Sequence, residues 1–275
     1  MKRFIQSRKQ KPQHRKSRII WITGASSGLG RSLALVLADQ GHQVIASARN
    51  EEALRALQTL SPRIVALPCD IVDETSLETL RLSITEKFGA IDQAILNAGT
   101  CEYLDFPDPD WSIMRRVMEV NYFGAINSLR VALPLLRDSD CARPHIVAIA
   151  SQVTNAPFAK AEAYGASKAA LQYFFNSLRI DLAPENIDVT LVNPGFVDTP
   201  LTRKNEFAMP FLMDSETAAK RIVRHIACRP RSYSFPKRLQ ALLFMSKLAP
   251  GFWQKMVAAD NDKTARISPT GQDKA

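Results

Sequence analysis

The chain has 275 residues, of which 46% are hydrophobic and 23% charged, with a formal net charge of +9. That length supports one domain with a sizeable core, and no stretch nears the roughly 18 uninterrupted apolar residues of a membrane-spanning helix. The charge is local: residues 1–18 hold eight Lys/Arg and no acid, leaving the remainder near +1, so no nucleic-acid-binding body is expected.

Residues 1–17 read as a disordered, solvated basic arm, with an anionic-surface tether or targeting segment as the alternative. They contain no apolar h-region, so no secretory signal is expected. Cys69, Cys101, Cys141 and Cys228 lie far apart with no CxxC pair. They suggest reduced thiols in a cytoplasmic chain, with neither a disulfide frame nor a metal site.

From Arg18 onward, short apolar or β-branched runs predict strands at 19–23, 43–47, 63–67, 91–96, 145–150 and 188–192. Helical spacing fills the gaps. Leu33, Val36 and Leu37 share a face in 29–40, and Ala53, Leu54, Leu57 and Leu60 do so in 51–60. Strands that are apolar throughout, alternating with helices, predict a parallel sheet covered on both faces. Right-handed crossovers make this a doubly wound, Rossmann-type α/β fold with its ligand at the carboxyl ends of the strands. No repeat or linker divides residues 18–257, so a single domain is expected.

The first strand runs straight into TGASSGLG, residues 23–30. Gly24, Gly28 and Gly30 permit a tight turn and close approach of a ligand to the backbone. The helix that follows offers unpaired N–H groups and a positive dipole end, which suit a pyrophosphate. The spacing is G-x-x-x-G-x-G, and a plain strand-to-helix connection remains an alternative for this stretch alone.

Further along, ILNAG closes the fourth strand, VNYFGA places Asn121 in a long helical pattern, and AIAS ends at Ser151. YGASK then sets Tyr164 and Lys168 four apart, on one helix face, and NPGFVDTP follows the sixth strand. A free phenol has a pKa near ~10. A nearby ammonium is expected to lower it and make Tyr164 a general acid/base. Ser151 can hydrogen-bond a substrate oxygen beside it. In order and spacing these motifs resemble the short-chain dehydrogenase/reductase family over roughly residues 18–235.

The resemblance implies roles residue by residue. Tyr164 would exchange a proton with the substrate oxygen, Ser151 would orient it, and Lys168 would also bind the nicotinamide ribose. Asn121 would hold a water linking Lys168 to solvent. Asn97 would stabilise the sheet beside the cofactor, with Ala98 and Gly99 next to it, and Asp70 would contact the adenine. Ser26, Ser27 and Leu29 would join the three glycines of the first turn. Pro194, Gly195 and Val197 would line the far side, and Thr199 would hold the carboxamide, although such turns also carry threonine for turn reasons alone.

Where a carboxylate would select NAD(H), the second strand ends in Ala48 and Arg49, which suits a 2′-phosphate and points to NADP(H) rather than NAD(H). Ser27 could donate a second bond; a loop-capping Arg49 is the alternative. The substrate loop, about 196–216, carries Phe196, Leu201, Phe207, Met209, Phe211, Leu212 and Met213, which suggests an apolar carbonyl or alcohol substrate. A lid packed on its own domain would look the same. Oxoacyl-carrier-protein reductases of this family usually end soon after a Gly-Gly-bearing last strand; this chain continues as RSYSFPKRLQALLFMSKLAPGFWQKMV. Two short amphipathic helices are expected at 237–257 around Pro250–Gly251, then a polar tail at 258–275. Their apolar surface could cover the chain's own cleft, a second subunit of a dimer or tetramer, or an anionic membrane surface. The competing functional class is a non-catalytic dinucleotide-binding or scaffolding protein of the same fold.

Overall fold

The computed structural model describes residues 17–205 and 207–267, with side chains through Ala258. The basic arm, apart from Ser17, and the last part of the polar tail lie outside the described residues. The first six strands fall where the apolar runs put them: β1 (Ile19–Thr23), β2 (Gln43–Ser47), β3 (Ile64–Ala66), β4 (Gln93–Leu96), β5 (His145–Ile149) and β6 (Asp188–Pro194). A two-residue pair, β7 (Val197–Asp198) with β8 (Met213–Asp214), ties off the two ends of the substrate loop. Strand β9 (Ser232–Phe235) adds a seventh member that the sequence reading did not foresee. The main sheet is parallel throughout, in the order β3-β2-β1-β4-β5-β6-β9.

Strand parity builds the two cores. Ile20 and Ile22 face one layer, where α1 (Gly28–Asp39), α2 (Glu51–Gln58) and, further along the chain, α7 (Ser215–Ile226) contribute Leu33, Leu37, Leu54, Leu57 and Ile222. Trp21 faces the other layer, where α3 (Glu74–Phe88), α5 (Gly124–Arg137) and α6 (Glu162–Leu182) contribute Leu80, Ile84, Leu129 and Phe175. A sheet apolar on both faces must be covered on both. Leu60, predicted on the buried face of its helix, lies beyond the helix end and is exposed.

Before α5, the short helix α4 (Ser112–Met118) runs into a π-turn at Glu119–Phe123 that contains Asn121. At the C-terminus, α8 (Lys237–Leu248) and α9 (Pro250–Ile267) meet at the predicted Pro-Gly break, but α9 runs on well past residue 257 into the segment expected to be polar tail. Among the described residues, no helix is long and apolar enough to cross a membrane.

Strand order reverses between β1 and β4, which is where an open α/β sheet leaves a crevice at its carboxyl ends.

Candidate active site

A cleft of about 590 Å³ fills that crevice. Its floor is the first turn, with Gly24, Ser26, Ser27, Gly28, Leu29 and Gly30 all on the lining. The two most constrained glycines explain why the turn is so poor in side chains. Gly24 has φ +67°, and a Cβ there would lie 2.7 Å from the Ala98 Cα; a Cβ on Gly30 would lie 2.2 Å from the Gly24 carbonyl oxygen. Asn97 locks the arrangement, donating from Nδ2 to the carbonyls of Thr23 (3.0 Å) and Gly24 (3.2 Å). The Thr23 hydroxyl accepts in turn from the amides of Asn97 and Ala98.

Helix α1 begins on this floor without a side-chain cap: the Ser27 hydroxyl makes no capping bond, whereas Asn50, Asp73 and Asp214 cap α2, α3 and α7. Its first N–H groups therefore keep their capacity for an anion. At the end of β2, Arg49 lines the cleft, exposed, with no hydrogen bond or ion pair to another described residue. The loop-capping alternative therefore has no partner there; Asn50 is the residue that caps α2. Asp70, Asn97, Ala98 and Gly99 form the adjoining wall. Asp70 is part-buried and its carboxylate accepts from the Val72 amide at 3.1 Å.

The opposite wall carries Ser151, Tyr164 and Lys168, with Pro194, Gly195, Val197 and Thr199 beside them. Lys168 donates to the Ile149 carbonyl at 3.0 Å, and its Nζ stands 5.9 Å from the centre of the Tyr164 ring. The acidity of Tyr164 corrects the sequence-based expectation. Burial is the dominant influence and pushes the phenol up to about 12, while the Ser151 hydroxyl works the other way. Burial also draws Lys168 down to about 8. Desolvation penalises the charged form of each group.

Asn121 is not on the cleft lining. Its Oδ1 accepts from the Thr100 amide at 2.7 Å, and its Nδ2 donates to the Thr100 carbonyl and the Ser167 hydroxyl, both at 2.9 Å. Its two side-chain protons are spent on those partners. It therefore fixes the Gly99–Thr100 turn, where a Gly99 Cβ would come within 3.4 Å of Lys168 Nζ. Thr199 does line the cleft against Gly28, but its hydroxyl is engaged with Thr202 at 3.2 Å, so the turn explanation for this threonine also holds.

The sequence reading missed several residues. Thr100, Val120, Ile71 and Thr202 are among the further lining residues. Gln172 holds the Ser151 carbonyl (3.1 Å), the Thr154 hydroxyl and Asn193 Oδ1 (both 2.8 Å), which braces the loop that presents Ser151. Its signal was available, since Tyr164, Lys168 and Gln172 recur at i, i+4 and i+8 on α6.

In the substrate loop, Phe207 packs edge-on against both Tyr103 and Phe196, each at 6.1 Å. Phe211 and Leu212, expected in this lining, are exposed instead, because they sit at the outer bend of the loop. Leu201 faces the main cleft, Met213 joins the α1–α7 core, and Met209 accepts a weak bond from Asn205. The C-terminal helices close this side: Leu239, Leu243 and Trp253 bury against Ala156, Phe158 and Phe196, and the Trp253 indole donates to the Pro157 carbonyl at 2.8 Å.

A family model for short chain dehydrogenase matches residues 18–209. The chain belongs to that family. Within it, the chain is 35% identical over 234 residues to an uncharacterized oxidoreductase of Myxococcus xanthus, covering 83% of this chain and 91% of that one. It is 34% identical over 192 residues to 11-beta-hydroxysteroid dehydrogenase A of Sesamum indicum, covering 68% of this chain but only 54% of the sesame protein. The crystal structure of a short-chain dehydrogenase from Streptomyces avermitilis superposes with a TM-score of 0.76, covering 92% of this chain and all of that one. At 24% identity that likeness speaks for the fold. Short-chain dehydrogenases are oxidoreductases acting between CH–OH and C=O groups with a nicotinamide dinucleotide.

Proposed function

We propose that this protein is an NADP(H)-dependent oxidoreductase that moves a hydride between nicotinamide and the carbonyl or hydroxyl carbon of an apolar substrate. The observation that carries the reading is the meeting of Ser151, Tyr164 and Lys168 on one wall of a cleft whose floor is a glycine-rich turn at an uncapped helix start. The residues fit the dinucleotide. A Cβ at Gly24 or Gly30 would collide with backbone, so the floor is kept open at a real conformational expense. The α1 start and Ser27 would take the phosphates, and unpaired Arg49 would take a 2′-phosphate. Asp70 would face the adenine, and Lys168 the nicotinamide ribose.

When bound, the nicotinamide supplies or accepts the hydride. This chain's own residues handle the oxygen. Buried Tyr164 stays protonated near neutral pH, so in the reducing direction it donates its proton to the substrate oxygen as negative charge develops there. Ser151 donates a hydrogen bond to the same oxygen, and Gln172 braces the backbone that carries it. Lys168 stands beside the phenolate left behind and stabilises it. Asn121 acts by positioning the Gly99–Thr100 turn against Lys168.

Support for an apolar substrate comes from the aromatic cluster of Tyr103, Phe196 and Phe207, where Phe196 sits between the cleft residues Gly195 and Val197, and from the hydroxysteroid named for the sesame relative. Four free cysteines fit a reducing compartment, and the reading places the protein in the cytoplasm as a homo-oligomer. A hydride-transfer screen with NADPH and NADP⁺ against aldehydes, ketones and secondary alcohols of graded apolar area tests it. Turnover whose kcat/KM rises with apolar area is expected. Tight dinucleotide binding with no turnover on any class would favour the non-catalytic alternative.

A further inference from the structure

Helix α8 buries one side against the body of the protein and still carries large apolar side chains on its exposed side. Leu239 and Leu243 are 3% and 1% exposed against the substrate-loop cluster, together with Trp253 of α9 at 6%. On the outer side, Phe244, Met245 and Leu248 are 57%, 55% and 65% exposed, and Phe252 of α9 is 70% exposed. Exposed large apolar side chains gathered on one helix face and the start of the next mark an interaction site.

Charge decides the occupant. Lys237, Arg238, Lys247 and Lys255 surround the outer face, all exposed and none in an ion pair with a described residue. No Asp or Glu occurs anywhere from Thr217 to Ala259. A two-fold contact with a second copy would bring this patch against itself, cation against cation, with no acid between Lys237 and Ala259 to offset the repulsion, the first being Asp260 and Asp262 further along α9. An anionic bilayer meets both demands, since it takes apolar side chains at the headgroup–acyl boundary and attracts the cations around them.

We propose that the outer face of α8–α9 docks this protein on anionic phospholipid membranes. The inner face of the same helices packs on Phe196, which lies between the cleft-lining residues Gly195 and Val197, so docking would set the cleft close to the source of apolar molecules. The docking itself does not depend on the reaction proposed above, and its test uses no turnover.

The test is co-sedimentation of the full chain with vesicles of phosphatidylglycerol and phosphatidylcholine, against phosphatidylcholine alone. Binding to the anionic vesicles, weakened by salt, is expected. Phe244→Ser with Phe252→Ser should lower the partition coefficient roughly tenfold or more, by removing the apolar contribution. Lys247→Ala and Lys255→Ala should each lower it about fivefold. The basic arm is present in every variant, so the differences report on α8–α9 alone. Unchanged thermal unfolding and dinucleotide affinity verify that the variants fold. Variants that bind anionic vesicles as well as the parent would overturn the proposal. So would a phenylalanine double variant that splits a dimer into monomers in sedimentation velocity while vesicle binding stays the same, because the face would then belong to a second copy.

Discussion

Replacing Gly30 by alanine should destabilise the protein, although glycine-to-alanine changes inside helices usually do the reverse by about 1 kcal/mol. The new Cβ would lie 2.2 Å from the Gly24 carbonyl oxygen, 2.9 Å from the Gly24 carbonyl carbon and 2.5 Å from Asn97 Nδ2. Two of these are backbone atoms and the third, Asn97 Nδ2, is held by its bonds to Thr23 and Gly24, so the turn itself must move by about 1 Å to restore ordinary contact distances. Overpacking of this kind costs about 1–3 kcal/mol. The shift also strains the two Asn97 bonds to Thr23 and Gly24, each worth about 1 kcal/mol. Against the helix gain, the net loss is about 2–4 kcal/mol, or a fall in Tm of roughly 4–16 °C for a chain of this size. Dinucleotide affinity should fall as well, because the displaced turn is the cleft floor. Gly165→Ala is the matched control: a Cβ there meets nothing within 4 Å, so Tm should hold or rise slightly. Thermal unfolding with NADPH titration reads both effects. An unchanged Tm and affinity for Gly30→Ala would refute the steric reasoning.

Arg49→Ala should weaken NADP(H) binding by about 10- to 150-fold, the scale of one charge-assisted hydrogen bond, and leave NAD(H) affinity alone. Isothermal titration with both cofactors checks it, and equal affinities in the parent protein would remove the basis for NADP preference. Burial holds His145 neutral, with its pKa drawn down to about 3. Between about pH 6.5 and 3 the unfolded chain therefore binds a proton that the folded chain does not, and stability should fall with falling pH by up to about 1.4 kcal/mol per unit. Urea unfolding across this range should show that slope, and His145→Gln should reduce it; an identical slope in the variant would contradict the assignment.

Much of the fold could be read from the chain because a two-faced parallel sheet leaves continuous apolar runs, and β1 to β6 are such runs. Strand β9 escaped because SYSF is short, half polar and at the sheet edge, with only Phe235 fully buried. The cleft was legible through residue types whose chemistry is local: glycines where backbone crowds backbone, and Tyr164 with Lys168 one helical turn apart. Properties set by surroundings were not. The direction of the Tyr164 shift depends on burial, which spacing does not reveal, and it ran opposite to the expected pull of Lys168. The π-turn that buries Asn121 among Thr100 and Ser167 depends on partners 21 and 46 residues away. The tail's apolar content was plain, but only the packing of Trp253 and Leu243 separates its inner face from its outer one.

The central claim is that Tyr164 carries the proton. Once a reducible substrate is in hand, single-turnover hydride transfer from NADPH should be measured for Tyr164→Phe beside the parent. The account predicts a rate at least ~100-fold lower, with Tm and NADPH affinity preserved. A Tyr164→Phe protein that transfers hydride at nearly the parent rate would contradict it.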